Sequence, residues 1–452
     1  MHVNFTGNWL CQEPLDKDRL LATVLMCGSK WEYRENLEAI IMKLTAAHLL
    51  IFLTAILLTL TACGQEDPNS SEADSNERKA FVTSLFSGVE QYESFNRLAE
   101  IFPHHVISAS SSPWSFPTGE TIALPETYAN DGEARSTRTF LEETDTAALL
   151  VITDGAIVYE NYWLTGGPDV HWMSMSVGKS FVSALVGIAI EEDLIDSVTD
   201  PITKYVPELA GSAYDGVRIK DILQMSSGAR WNEDYSDPES DVMRYVYAFG
   251  NGESLNEFAA TLVREREPGT YNYYNSTDTQ TLGMLLVAAT GESLASYAEK
   301  KLWEPLGMEN DAYWVTDDGG MEMAAGGLQV TARDYAKLGQ LYLQNGSWNG
   351  KQVVPTQWVH DSVTPDAPHV MPGLDPEYPI GYGYQWWVLQ GDEGEYSAIG
   401  VYNQFIYVNP TKRVVIVKLS ANSGYGLTDD DSSWRELESF ELLRAIAASL
   451  DK

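Results

Sequence analysis

Residues 148–153 and 156–163 are two apolar, β-rich runs on either side of Asp154-Gly155, a pair that predicts a hairpin. The spacing then changes. From Phe181 through Val182, Ala184, Leu185, Val186, Ile188, Ala189 and Ile190 the apolar positions predict a buried helix. A short helix is expected over 219–225, stopped near Gly228, and a longer one through Leu282, Leu285, Leu286 and Ala289, closed by Gly291. Residues 404–408 and 414–419 read as strands joined by Asn409-Pro410-Thr411-Lys412, where proline sits at a position that needs no ladder bond. Ser433-Trp434-Arg435-Glu436 has the form of a capping box for a last amphipathic helix reaching Leu450. A hairpin, a long helical middle, then strands and a closing helix predict an α/β (α+β) chain whose sheet is assembled from both chain ends.

The first hundred residues follow another pattern. Met42-Lys43 precedes an apolar run over 44–62 that ends Leu60-Thr61-Ala62-Cys63, the form of a bacterial lipoprotein signal with Cys63 as the lipidated residue. The run is also long enough for a retained transmembrane anchor. On the lipoprotein reading translation starts at Met42, and residues 1–41 are a gene-model extension. Residues 63–80 are polar and acidic and are expected to form a disordered tether, with the folded domain over 81–452. The whole chain of 452 residues has 29 basic and 65 acidic residues, a net charge of −36. Removing residues 1–63 takes away five basic and six acidic residues and leaves −35, so the acidity belongs to the exported part. Such a surface excludes nucleic acid as a partner, and membrane contact is expected only through the lipid anchor. All three cysteines (Cys11, Cys27, Cys63) precede the folded domain, and the seven histidines are scattered, so neither a thiolate site nor a metal or other cofactor is expected.

Two stretches carry candidate chemistry. Ser176 and Lys179 lie three apart at the mouth of the first buried helix, where an amine reaches a hydroxyl on the same face. A serine becomes a useful nucleophile when an adjacent base takes its proton, and a helix N-terminus favours a developing oxyanion. The plain alternative is a capping serine beside a solvated lysine. The second stretch, Pro268-Gly269-Thr270-Tyr271-Asn272-Tyr273-Tyr274-Asn275-Ser276, is a tight turn before a helix, in which Tyr273 and Asn275 are expected to face one pocket. Tyr271 and Tyr274 read as cover for a core edge.

In that order, Ser176-x-x-Lys179, Tyr273-x-Asn275 and a strand bearing Gly400 resemble serine β-lactamases and penicillin-binding proteins, and more closely the 6-aminohexanoate-dimer hydrolase branch and its esterase relatives. The similarity extends over residues 145–450 and includes Glu233-Asp234-Tyr235-Ser236-Asp237-Pro238 and Gln385-Trp386-Trp387. The resemblance implies a β-lactamase/transpeptidase-like fold, an antiparallel sheet flanked by helices with a mainly helical lobe. It implies Ser176 as acylated nucleophile, Lys179 as its activating partner and Tyr273 as general base and acid, with the N–H groups of Ser176 and Val401 as oxyanion hole. Asn275, Trp231, Tyr235, Trp387 and Gly400 are the implied substrate contacts, with Trp231 the best match for a donor to a leaving amide. Two departures matter. The third strand reads Ala398-Ile399-Gly400 where penicillin-recognising enzymes carry Lys-Thr-Gly, and Asn403 stands where relatives have glycine. The expected function is an exported serine hydrolase acting on small esters, with linear amides as poorer substrates. The rivals are a β-lactamase or D-Ala-D-Ala carboxypeptidase, and a non-catalytic envelope binding module. Oligomeric state is left open.

Overall fold

The computed structural model describes residues 68–450, so Cys63 and the apolar run before it lie outside the described residues. The first described element is helix α1, Pro68–Ser84, which occupies most of the span expected to be a tether. Its polar composition conceals the reason. Phe81, Val82 and Leu85 are buried within one turn, and Arg78 pairs with Asp318 at 2.5 Å. Each such apolar side chain contributes about 1.5–3 kcal/mol on burial, enough to offset ordering of the adjoining turn.

The hairpin forms as expected from strands β1 (Thr146–Thr153) and β2 (Ala156–Tyr162), with Asp154 at φ 50° and Gly155 at φ 76° in the tight turn. Helix α2 is Gly178–Glu191, α3 is Ser276–Thr290 with Gly291 as its left-handed cap, and α4 is Ala332–Leu343. Strands β3 (Gly381–Tyr382), β4 (Trp387–Val388), β5 (Tyr396–Gly400), β6 (Gln404–Asn409) and β7 (Val414–Ser420) follow, and helix α5 is Glu436–Ala448. These seven strands make one antiparallel sheet in the order β3-β4-β5-β6-β7-β1-β2, apart from smaller sheets elsewhere in the described residues. The register between β7 and β1, Val414 with Thr153 and Leu419 with Ala148, joins the C-terminal strands to the hairpin, so both chain ends do build the sheet.

Alternation along β7 shows how the layers are made. Val415, Val417 and Leu419 enter the core shared with α2 and α4, whereas Val414 and Ile416 pack with Phe440 and Leu443 of α5. The start of α5 differs from its expected capping box. Ser433 turns its hydroxyl to the Thr428 carbonyl (2.9 Å), and Asp431 accepts instead from the N–H groups of Glu436 and Leu437. Arg435 takes a left-handed conformation at φ 54°, which separates the short helix Asp431–Trp434 from α5.

Candidate active site

Ser176 lies in a single 3₁₀ turn, Met175–Val177, that runs straight into α2. Met175 holds φ 46°, an unusual value for a large side chain and a local strain of the kind concentrated at functional sites. The Ser174 N–H donates to the Leu328 carbonyl at 2.7 Å and ties this turn to the neighbouring strand Leu328–Val330. Lys179, in the first turn of the apolar helix, is only 1% exposed. Its ammonium nitrogen donates to Ser176 Oγ (2.8 Å), Ser276 Oγ (3.2 Å) and the Ala325 carbonyl (2.7 Å). None of these three acceptors is a carboxylate. Burial pushes the lysine down to about 8, against the opposing charge of Glu233. A neutral amine beside a serine hydroxyl is therefore accessible near neutral pH.

The tyrosine at this pair is Tyr274, not the expected Tyr273. Tyr274 lines the open cleft beside Ser176, and its ring centroid lies 5.2 Å from Lys179 Nζ. Burial, then the charge of Glu233, holds its phenol well above the ordinary value, while the Ser176 side chain pulls the other way. Tyr273 is 43% exposed and stacks on Tyr271 at 6.2 Å. Both tyrosines border the open cleft at Ser176, but only the Tyr274 ring lies over Lys179. Asn275 leaves the substrate side. It is the N-cap of α3, its side chain accepting from Thr277 N–H at 2.8 Å, which puts Ser276 rather than Asn275 against Lys179.

A carboxylate, Glu233, organises the far side. It accepts from Ser276 Oγ (2.6 Å), Ser276 N–H (3.1 Å), the Tyr235 hydroxyl (2.6 Å) and the Trp231 indole N–H. Ser276 thus bridges Glu233 and Lys179. Trp231 is buried with its only donor spent on Glu233, so it is not placed to serve a leaving amide. Tyr235 faces the cleft beside Ser176 instead. Neither Glu233 nor Ser276 had a sequence signal as a site residue, since their roles come from convergence of two loops.

Gly400 acts as a spacer. A Cβ there would meet the Ser174 carbonyl at 2.7 Å and Ser176 N at 3.0 Å, so only glycine lets β5 pass so close to the nucleophile turn. This approach sets Val401 on the cleft wall with Ser176. Tyr402 and Asn403, at φ 65° and 66°, turn the chain into β6, and Asn403 is held by Asn422 (2.8 Å) and the Trp434 carbonyl (2.7 Å). Trp387 stacks on Tyr274 at 5.2 Å and lines the cleft, whereas Trp386 is core.

Ser176 stands where two spaces meet. One is an open cleft of about 420 Å³ that includes Tyr274, Trp387, Ile399 and Val401. The other is a narrow apolar pocket of about 60 Å³ that runs behind the serine toward α1 and Asp241–Gly250.

The family model described as Beta-lactamase matches residues 135–439. The 6-aminohexanoate-dimer hydrolase of Paenarthrobacter ureafaciens is 34% identical over 366 residues, spanning 77% of this chain and 89% of that protein. A Bacillus anthracis structure provisionally described as a 6-aminohexanoate-dimer hydrolase superposes with a TM-score of 0.72 at 25% identity, covering 80% of this chain and 94% of that one. A family VIII carboxylesterase structure shares the fold, with a TM-score of 0.52 at 15% identity over 69% of this chain and 94% of its own. With its buried Ser176–Lys179 pair set in this fold, the chain belongs to the β-lactamase family and is a serine hydrolase of that superfamily.

Proposed function

We propose that the protein cleaves small esters, and linear amides less readily, through an acyl-enzyme on Ser176. In this reading Lys179 takes the hydroxyl proton as Ser176 Oγ attacks the carbonyl carbon. The N–H groups of Ser176 and Val401 stabilise the oxyanion, and Tyr274 relays the proton held by Lys179 to the departing alkoxide or amine, so that both groups end as they began. Water then attacks the acyl-serine by the reverse proton path, releasing the acid and restoring Ser176. The observation that carries the proposal is the buried Lys179, 2.8 Å from Ser176 with no carboxylate among its hydrogen-bond partners and Tyr274 against both. Amides ask more of the leaving-group donor than esters do, and Trp231 is not free to supply it. The uncharged third strand, with Ile399 on the cleft wall, offers no cation to a substrate carboxylate, which speaks against β-lactams and D-Ala-D-Ala peptides. Labelling with a fluorophosphonate probe tests the reading. Wild type should label and hydrolyse p-nitrophenyl acetate, and Ser176→Ala should lose both; labelling that persists in Ser176→Ala would assign the nucleophile elsewhere.

We also propose that the chain is exported and lipid-anchored on the periplasmic side through Cys63, on the support of the apolar run and the Leu60-Thr61-Ala62-Cys63 ending. Stable anchoring needs more than one acyl chain. Cells expressing the protein should incorporate labelled palmitate, and Cys63→Ser should not; label retained in Cys63→Ser refutes the anchor.

A further inference from the structure

Ser176 borders both spaces, but Tyr274 lines only the open cleft. A group that protonates the leaving group must stand on the side from which that group departs. The acyl part of the substrate is then directed to the other side, into the narrow pocket. That pocket carries no carboxylate, lysine, arginine or histidine; its polar members are Ser176, Ser276, Tyr235 and Tyr245, and the rest of its wall is apolar.

Part of the wall comes from outside the region that matches the family. Phe81, Val82, Leu85 and Phe86 line the pocket, and all four precede residue 135, where the family match begins. The segment is fastened to the site itself. Phe86 N–H donates to the Tyr402 hydroxyl at 2.6 Å, one residue beyond Val401, and the Phe86 ring packs on Tyr235 at 4.4 Å and on Tyr402 at 5.1 Å. Val82 on α1 and Leu85 just after it are buried and line the pocket.

Resting on the acyl-enzyme reading above, we infer that the narrow pocket is the acyl site and that α1 with Phe86 is its end wall, selecting short uncharged acyl groups. A space of about 60 Å³ admits a few carbons before the chain meets Val82 and Leu85. One methylene too many or too few in an apolar pocket changes selectivity by about 10-fold or more. An acyl chain ending in an ammonium or carboxylate would bury an unpaired charge there.

The test is a p-nitrophenyl ester series (acetate, butyrate, hexanoate, octanoate) with the full chain. Wild-type kcat/KM should be highest at acetate or butyrate and at least 10-fold lower at octanoate. Leu85→Ala and Val82→Ala should raise the octanoate-to-acetate ratio at least 10-fold, and the narrowing variant Val82→Leu should lower the butyrate-to-acetate ratio. Because a ratio reports only the folded, active fraction, loss of stability does not imitate either shift. Ratios that stay within about twofold in all three variants, or a wild type that prefers octanoate, overturn the inference. If the ratios do not move while fluorophosphonate labelling still depends on Ser176, it is the pocket assignment that fails; if labelling does not depend on Ser176, it is the acyl-enzyme reading.

Discussion

The two sides of Ser176 differ in charge as much as in size. The narrow pocket has no carboxylate, lysine, arginine or histidine on its wall, whereas the open cleft is rimmed by Glu233, Asp234, Asp375, Glu377, Asp429, Asp430, Asp431 and Glu436 without a lysine or arginine. Glu436 is the buried member of this set. Burial pushes its carboxyl up to about 7 although the Tyr378 and Tyr425 hydroxyls both donate to it, at 2.5 and 2.6 Å. An uncharged acyl group fits one side and a neutral or cationic leaving group the other. An anionic substrate meets repulsion in the cleft and finds no partner in the pocket.

The largest consequence is discrimination against anions. p-Nitrophenyl butyrate should be hydrolysed with a kcat/KM at least about 100-fold above that of nitrocefin, whose carboxylate must enter the acidic side. Raising the salt should narrow the gap, since exposed like charges are screened over about 10 Å at 0.1 M ionic strength. Equal rates would remove the charge difference between the two sides from any account of specificity.

A smaller effect should come from Glu233, a positioning group reached through Ser276. Activity that needs a neutral Lys179 should rise with pH through about 8. Glu233 raises the lysine's pKa, so Glu233→Gln favours the neutral amine and should move this limb to lower pH, with KM for small esters nearly unchanged. A limb that stays in place would show that Lys179 is not the titrating base.

Most of the scaffold was legible in the sequence because its cues are local. Asp154-Gly155 can hold both positive φ values of the turn, and the period of residues 181–190 suits only a buried helix. Ser176 and Lys179 were legible for the same reason, since a helix sets neighbours three residues apart side by side. What was not legible depends on convergence. Tyr273 and Tyr274 are identical in type and adjacent, and only the placement of Asn275 as N-cap decides which one faces Lys179. Trp231 and Tyr235 both donate to Glu233, and what separates them is that Tyr235 also lines the cleft while Trp231 does not. The role of α1 was hidden because Phe81, Val82 and Leu85 are confined to the end of a mostly polar run.

The most direct measurement compares Tyr274→Phe with Tyr273→Phe on p-nitrophenyl butyrate under identical conditions. Loss of a general acid–base group costs about 100-fold or more. Tyr274→Phe should therefore lose at least about 100-fold in kcat/KM, while Tyr273→Phe, half exposed and stacked on Tyr271, should stay within about threefold of wild type. The reverse ranking would contradict the placement of Tyr274 at the reacting serine, and with it the assignment of acyl and leaving-group sides.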